Sequence, residues 1–307
     1  MKSFVAAFVI AVGGGFAATV VWPQKAANVM LSGFVASAGL SKREVAMPFG
    51  TVHYLQGGEG ETVVFLHGIF ALKEHWVDMS RQVSGDYQVI LLDLPGFGGN
   101  PRLEATAYDL NQQSINVSDV LEAIGVESYH IAANSMGAQI AFDLALAERD
   151  RVKSVALIGS PINVTSPVPS EMEVAMQAGQ APLVVTSEET YDARMDWLFP
   201  KVPFLPKPIM DKWKAEEVSF AAINAQIWDA VEGSDVEMLE VIAPDISQPT
   251  LIVWCQDDRI FHPSGAAVLG AALTESTVIE PEGCGHLPML DRKTQTGRDY
   301  VEFLNAL

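Results

Sequence analysis

The run Ile131-Ala132-Ala133-Asn134-Ser135-Met136-Gly137-Ala138-Gln139-Ile140-Ala141 constrains this chain more than any other. A short apolar strand ends at a serine with small neighbours, and an apolar helix begins at once. A serine on so tight a strand-to-helix turn has its hydroxyl pushed outward, and the helix N-terminus faces the space beside it. Gly137 and Ala138 on one side and Ala133 on the other leave room for this turn. The pattern G-x-S-x-G is met except at its first glycine, which is Ala133 here. The same letters also fit a serine capping an ordinary helix. The choice between the two readings depends on the rest of the chain.

A serine that attacks a carbonyl needs a base for its proton, and the base needs an anion to orient it. Downstream, the β-rich run Thr250-Leu251-Ile252-Val253-Trp254 leads into Cys255-Gln256-Asp257-Asp258. A carboxylate just past a parallel strand sits at the carboxyl edge of the sheet, where ligands bind. Further on, Gly283-Cys284-Gly285-His286-Leu287-Pro288 places a histidine in a glycine-flanked loop after the strand Thr277-Val278-Ile279. Each residue has a plainer reading: the aspartates as a helix cap pair before Pro263, and His286 as a loop histidine. Three such residues in the order Ser, Asp, His, each after a strand, favour a catalytic set. Upstream, Thr62–Leu66 reads as a buried strand followed by His67-Gly68-Ile69-Phe70. A loop in that place supplies one backbone N–H to an oxyanion hole, and the residue after the nucleophile supplies the other. The expected donors are therefore Ile69 and Met136. His67 is read as shaping the loop, because His286 already fills the base position.

These segments, with Asp93-Leu94-Pro95-Gly96-Phe97-Gly98, resemble the α/β-hydrolases of the lipase and esterase type. More narrowly, the chain is similar to the family V membrane-associated bacterial lipases and the monoacylglycerol lipases. The likeness runs from about Lys42 to the C-terminus. It implies Ser135 as nucleophile, Asp258 as acid and His286 as base. The family pattern W-G-x-x-D, counted from Trp254, falls on Asp258 rather than Asp257, with Cys255 in place of the glycine. Phe70 likewise replaces a small residue that often follows His-Gly. The resemblance implies an acyl-enzyme mechanism on neutral amphiphilic esters with no cofactor. Carbon–carbon bond hydrolases of the ring-cleavage-product type use the same triad, and a non-catalytic ligand-binding relative is the remaining alternative. Epoxide hydrolases and haloalkane dehalogenases need an aspartate nucleophile, which Ser135 excludes.

The expected architecture is a mostly parallel eight-stranded sheet. Its strands fall near Glu44–Phe49, Val52–Leu55, Val63–Leu66, Val89–Leu92, His130–Ala133, Val155–Ile158, Leu251–Trp254 and Thr277–Ile279, alternating with helical stretches. At 307 residues there is length for one such core plus an insertion. Residues 42–160 and 242–307 are expected to form the core. The proline-rich interval 161–241 breaks the alternation after the sixth strand and reads as a helical cap, with helices around Ser170–Ala178 and Asp211–Val231. Its aromatic residues Trp197, Phe199, Phe204, Trp213, Phe220 and Trp228 are expected mostly in a cap core.

The N-terminus reads as a separate module. Phe4 through Trp22 is uncharged and almost wholly apolar. That is enough helix, at ~1.5 Å per residue, to approach the ~30 Å hydrocarbon thickness of a bilayer. Residues 1–25 are read as a transmembrane anchor, with a cleaved signal peptide, and hence a periplasmic or secreted enzyme, as the alternative. The flanking charges do not fix the side of the membrane. Residues 26–41 place Ala27, Met30, Leu31, Phe34, Val35 and Ala38 on one helical stripe. That stripe suits packing on the core better than an interfacial role. The net charge of −19 and pI of about 4.6 argue against nucleic acid as a partner. No metal-ligand spacing and no obligate protein partner is evident. The two cysteines, Cys255 and Cys284, are expected as free thiols. The implied fold makes the strands before them neighbours, so a disulfide tying the acid and base loops is the alternative in an oxidising space.

Overall fold

The computed structural model describes residues 22–307. The proposed anchor over residues 1–25 therefore lies almost wholly outside the described residues. In chain order the elements are α1 (Pro23–Ser37), β1 (Ser41–Met47), β2 (Gly50–Gly57), β3 (Glu61–Leu66), α2 (Val77–Val83), β4 (Tyr87–Leu92), α3 (Leu110–Ala123), β5 (Tyr129–Ser135), α4 (Met136–Ala147) and β6 (Val152–Pro161). Five helices follow: α5 (Glu171–Gln177), α6 (Glu188–Leu198), α7 (Lys207–Ser219), α8 (Ala221–Glu232) and α9 (Leu239–Ile242). The chain then forms β7 (Thr250–Val253), α10 (Ser264–Ala272), β8 (Ser276–Ile279), α11 (Pro288–Asp291) and α12 (Lys293–Asn305).

The eight strands form one sheet in the order β1-β2-β4-β3-β5-β6-β7-β8. Only the β1–β2 and β2–β4 pairings are antiparallel. The sheet core is apolar on both faces, as a parallel sheet between two helical layers requires. Alternation divides it cleanly. Val64, Leu66, Ile131, Ala133, Leu157 and Ile252 face one layer, where α3 and α4 contribute Val117, Val120 and Ile140. Val63, Phe65, Ala132, Ile158, Leu251 and Val253 face the other, against Val35 of α1, Met79 of α2 and Tyr300 of α12. The N-terminal stripe is thus largely a packing face. Ala27, Leu31 and Val35 are buried, while Met30 is exposed.

The chain leaves β3 toward β4 on one side and returns to β5 on the other. The carboxyl ends of β3 and β5 therefore flank a topological switch point, the usual ligand crevice of such sheets. The interval between β6 and β7 departs from the sequence reading in detail. The single helix expected over Asp211–Val231 is two, broken at Phe220. An additional helix, α6, is opened by a Ser187–Thr190 capping box. The aromatic residues are not a sealed core either. Phe199 is buried, Trp197, Trp213, Phe220 and Trp228 are half-buried, and Phe204 is 91% exposed.

Candidate active site

Ser135 ends β5 and caps α4 with φ 54° and ψ −117°. A non-glycine residue at positive φ is strained, and such strain persists where the surroundings enforce it. Small residues enforce it here. A Cβ on Gly68 would lie 2.9 Å from the Ser135 Cβ, and one on Gly137 would lie 2.7 Å from the His67 carbonyl oxygen. The loops after β3 and β5 therefore approach each other only because both positions are glycine. Ala133, the departure from G-x-S-x-G, is fully buried in the sheet core. Met136 is the first residue of α4, and no carbonyl of the helix is placed to accept its N–H. Ile69 follows Gly68 in the facing loop, and Phe70 after it has φ 56°. The position where a small residue was expected is thus left-handed, with a phenylalanine held in it.

His67 and Asp93 hold this loop from below. The Leu94 N–H donates to His67 Nε2 at 3.0 Å, and His67 Nδ1 lies 2.7 Å from the Gly68 carbonyl. Nε2 thus accepts, and Nδ1 carries the proton. Burial pushes the imidazole down to about 4, so it is neutral at pH 7. Asp93 accepts from the Lys73 N–H, the Lys73 ammonium and the Gly99 N–H, at 2.8, 2.5 and 2.9 Å. Both residues brace the loop, as expected for His67.

Asp258 follows β7 and is buried. Its Oδ1 accepts the N–H groups of Ile260 and Phe261 at 2.8 and 3.3 Å. This Asx-type turn fixes the carboxylate. Its Oδ2 lies 3.1 Å from His286 Nδ1. Asp257 is exposed and accepts the Gly283 N–H at 2.9 Å, away from the histidine. The structure thus pairs Asp258, the aspartate that the W-G-x-x-D spacing favours, with His286 and gives Asp257 a loop contact.

His286 is buried and seated from three sides. Its N–H donates to the Leu198 carbonyl at the end of α6 at 3.0 Å. Its own carbonyl accepts the Asn134 side-chain amide at 3.2 Å. The same amide donates to the Ile158 carbonyl at 2.8 Å, so Asn134 ties β5, β6 and the base loop together. One further residue was not found in the sequence. The Ser160 Oγ, near the end of β6, lies 2.6 Å from Asp258 Oδ2 and 2.8 Å from His286 Nδ1. It is fully buried in an apolar strand, and its letter alone gives no signal there.

The expectation of free thiols is overturned. Cys255 and Cys284 form a disulfide with Cα atoms 5.4 Å apart. Parallel pairing of β7 with β8 brings the two following loops side by side. The bridge lies three residues before Asp258 and two before His286. Asp291 accepts the Gly285 N–H in the base loop at 2.8 Å, and burial raises its carboxyl to about 6. Above the site, Met172, Leu183, Trp197 and Trp228 of the β6–β7 insertion share a small apolar cluster with Ile69, Ile260 and Phe261. The insertion thus touches both the loop after β3 and the loop after β7.

The sheet, the switch-point crevice and the Ser, Asp, His order of strand-end residues define one class of protein. The model of the alpha/beta hydrolase family matches residues 63–296, and the chain belongs to that family. Among its relatives, Lipase 1 of Psychrobacter immobilis is 28% identical over 83% of this chain and 80% of its own. A monoacylglycerol lipase of Xenopus laevis is 25% identical over 81% of this chain and 77% of its own. The crystal structure of a membrane phospholipase A, described as a bacterial virulence factor, superposes with a TM-score of 0.90. It is 32% identical and covers 100% of this chain and 99% of that one. A 2-hydroxy-6-oxononadienedioate/2-hydroxy-6-oxononatrienedioate hydrolase of Pseudomonas putida is 26% identical over 82% of this chain and 91% of its own.

Proposed function

We propose that the chain is a serine hydrolase of carboxylic esters of the lipase type. In this reading Ser135 is the nucleophile, His286 the base and Asp258 the acid, with the Ile69 and Met136 N–H groups as oxyanion donors. The observation that carries the reading is the hydrogen-bonded Asp258–His286 pair, whose loop is bound to the residue preceding a strained, helix-capping Ser135. His286 Nε2 takes the Ser135 proton as the hydroxyl adds to the ester carbonyl. The two N–H groups receive the charge on the tetrahedral oxygen. The imidazolium, stabilised by Asp258, protonates the leaving alcohol. Water then repeats the sequence on the acyl-enzyme and frees the acid.

The apolar cluster over the site suits an acyl chain, and the strongly acidic surface suits a neutral or zwitterionic head group. The lipase and monoacylglycerol lipase relatives support the same choice. We further propose that Phe4–Trp22 anchors the enzyme in a membrane. The disulfide favours a catalytic domain on the oxidising side. No helix among the described residues is long and apolar enough to cross a bilayer, so this role falls on the preceding segment alone.

The ring-cleavage relatives make a carbon–carbon bond hydrolase the second reading. A substrate panel separates the two. Esters and monoacylglycerols of graded chain length are expected to be turned over, and a ring-cleavage dienoate is not. Faster turnover of the dienoate would reverse the assignment.

A further inference from the structure

We infer that Ser160 is a positioning residue for the acid–base pair, holding His286 through Nδ1 so that Nε2 is the nitrogen left to take the nucleophile's proton. The inference rests on the assignment of Ser135, His286 and Asp258 above.

The Ser160 hydroxyl is nearer to His286 Nδ1, at 2.8 Å, than the Asp258 carboxylate is, at 3.1 Å. It is also within 2.6 Å of the same carboxylate oxygen. The three atoms form a closed triangle, so the positions of the protons decide what it does. A carboxylate only accepts, and a hydrogen bond to a charged acceptor is the stronger one. The Ser160 hydrogen therefore goes to Asp258 Oδ2. The Ser160 oxygen then has only lone pairs to offer Nδ1, and so does the carboxylate. Nδ1 must carry the ring's hydrogen, shared between the two oxygens, and Nε2 is bare. This is the tautomer a general base requires.

The fold explains why a strand residue can do this. Gly159 has φ +90°, and a Cβ there would come within 2.4 Å of both the Asn134 amide nitrogen and the His286 carbonyl oxygen. Its absence lets the base loop close onto the end of β6, which brings Ser160 against the imidazole edge. Ser160 also completes the carboxylate. With Ile260 and Phe261 on Oδ1 and Ser160 with His286 on Oδ2, each oxygen of the buried anion has two donors. Ser160 is not a second nucleophile. Its hydroxyl faces the Nδ1 edge beside the acid, so the ring cannot present Nε2 to it while keeping the Asp258 contact.

The test compares Ser160→Ala and Ser160→Thr in the full-length enzyme, with kcat and KM measured separately on a p-nitrophenyl ester. Loss of one hydrogen bond to the charged pair is expected to lower kcat about tenfold with KM unchanged in the alanine variant. The threonine variant keeps the hydroxyl and is expected to recover most of the loss. A wild-type kcat for Ser160→Ala overturns the inference, as does a threonine variant no faster than alanine. Fluorophosphonate labelling with peptide mapping separates this from the parent assignment. Label on Ser135, with Ser160→Ala fully active, sinks the role of Ser160 alone. Label on Ser160 sinks both.

Discussion

The Asn134 side chain donates a hydrogen bond to the His286 carbonyl at 3.2 Å, across 152 residues of sequence. The residue before Ser135 thus holds the loop that carries His286. That loop is held by backbone contacts to Leu198 and Asn134 and not by the Asp258–His286 pair alone. Substitutions that touch this junction are expected to lower turnover without disturbing distant parts of the fold.

Gly159→Ala is the most direct probe of the junction. The added methyl would collide with both hydrogen-bonding partners, and φ +90° is unfavourable for alanine. Displacing the base by a fraction of an ångström to one ångström costs on the order of 10²-fold in rate. Stopped-flow acylation should show a fall in kcat of that order with a folded circular dichroism spectrum. Unchanged acylation would mean that the base loop is positioned from elsewhere.

The two adjacent aspartates should separate sharply. Asp258→Asn removes the charge facing His286 and permits the wrong tautomer, so kcat should fall by roughly 10³–10⁴-fold. Asp257→Asn keeps an acceptor for the Gly283 N–H and should stay close to wild type. Parallel steady-state kinetics on the two variants tests this, and the opposite ranking would move the acid by one position.

Asp291 predicts a pH dependence of stability. Its carboxyl titrates near 6 in the folded chain, above its ordinary value of 3.8. Between about pH 4 and 6 the folded state holds a proton that the unfolded chain has released, so this residue's contribution falls as pH rises through that window. Asp291→Asn keeps an acceptor for Gly285 and removes the penalty. Its Tm should exceed wild type at pH 7.5 and match it near pH 4. An equal offset at both values would show a packing effect instead.

The disulfide closes a loop of 29 residues. Loop-closure entropy puts its contribution at about 3–4 kcal/mol. Cys255→Ser and Cys284→Ser should each lower Tm, and kcat should fall as the acid and base loops loosen. Calorimetry with and without reductant checks the first effect. No change in Tm on reduction would contradict it.

What the sequence made legible follows from where each residue lies. The strand-end positions of Ser135, Asp258 and His286 could be read because each follows a β-rich run, and the parallel sheet puts those ends on one edge and pairs Asp258 with His286. His67 could be set aside because His286 already fills the base position, and it does brace its loop, together with Asp93. Ser160 could not be found. A serine inside an apolar strand looks like core until the three-dimensional neighbours of its last residues are known. The break at Phe220 and the 91% exposure of Phe204 were equally hidden. Periodicity reports a helical face but not what lies opposite it. For the cysteine pair the implied fold offered the disulfide only as the alternative to free thiols, and the parallel pairing of β7 with β8 makes it the outcome.

The proposed chemistry stands or falls with Ser135 as the nucleophile served by His286. Labelling the native enzyme with a fluorophosphonate and mapping the modified peptide tests it most directly. One stoichiometric adduct is expected on Ser135, absent in Ser135→Ala together with nearly all p-nitrophenyl ester activity. An adduct on another serine, or near wild-type turnover by Ser135→Ala, would contradict it.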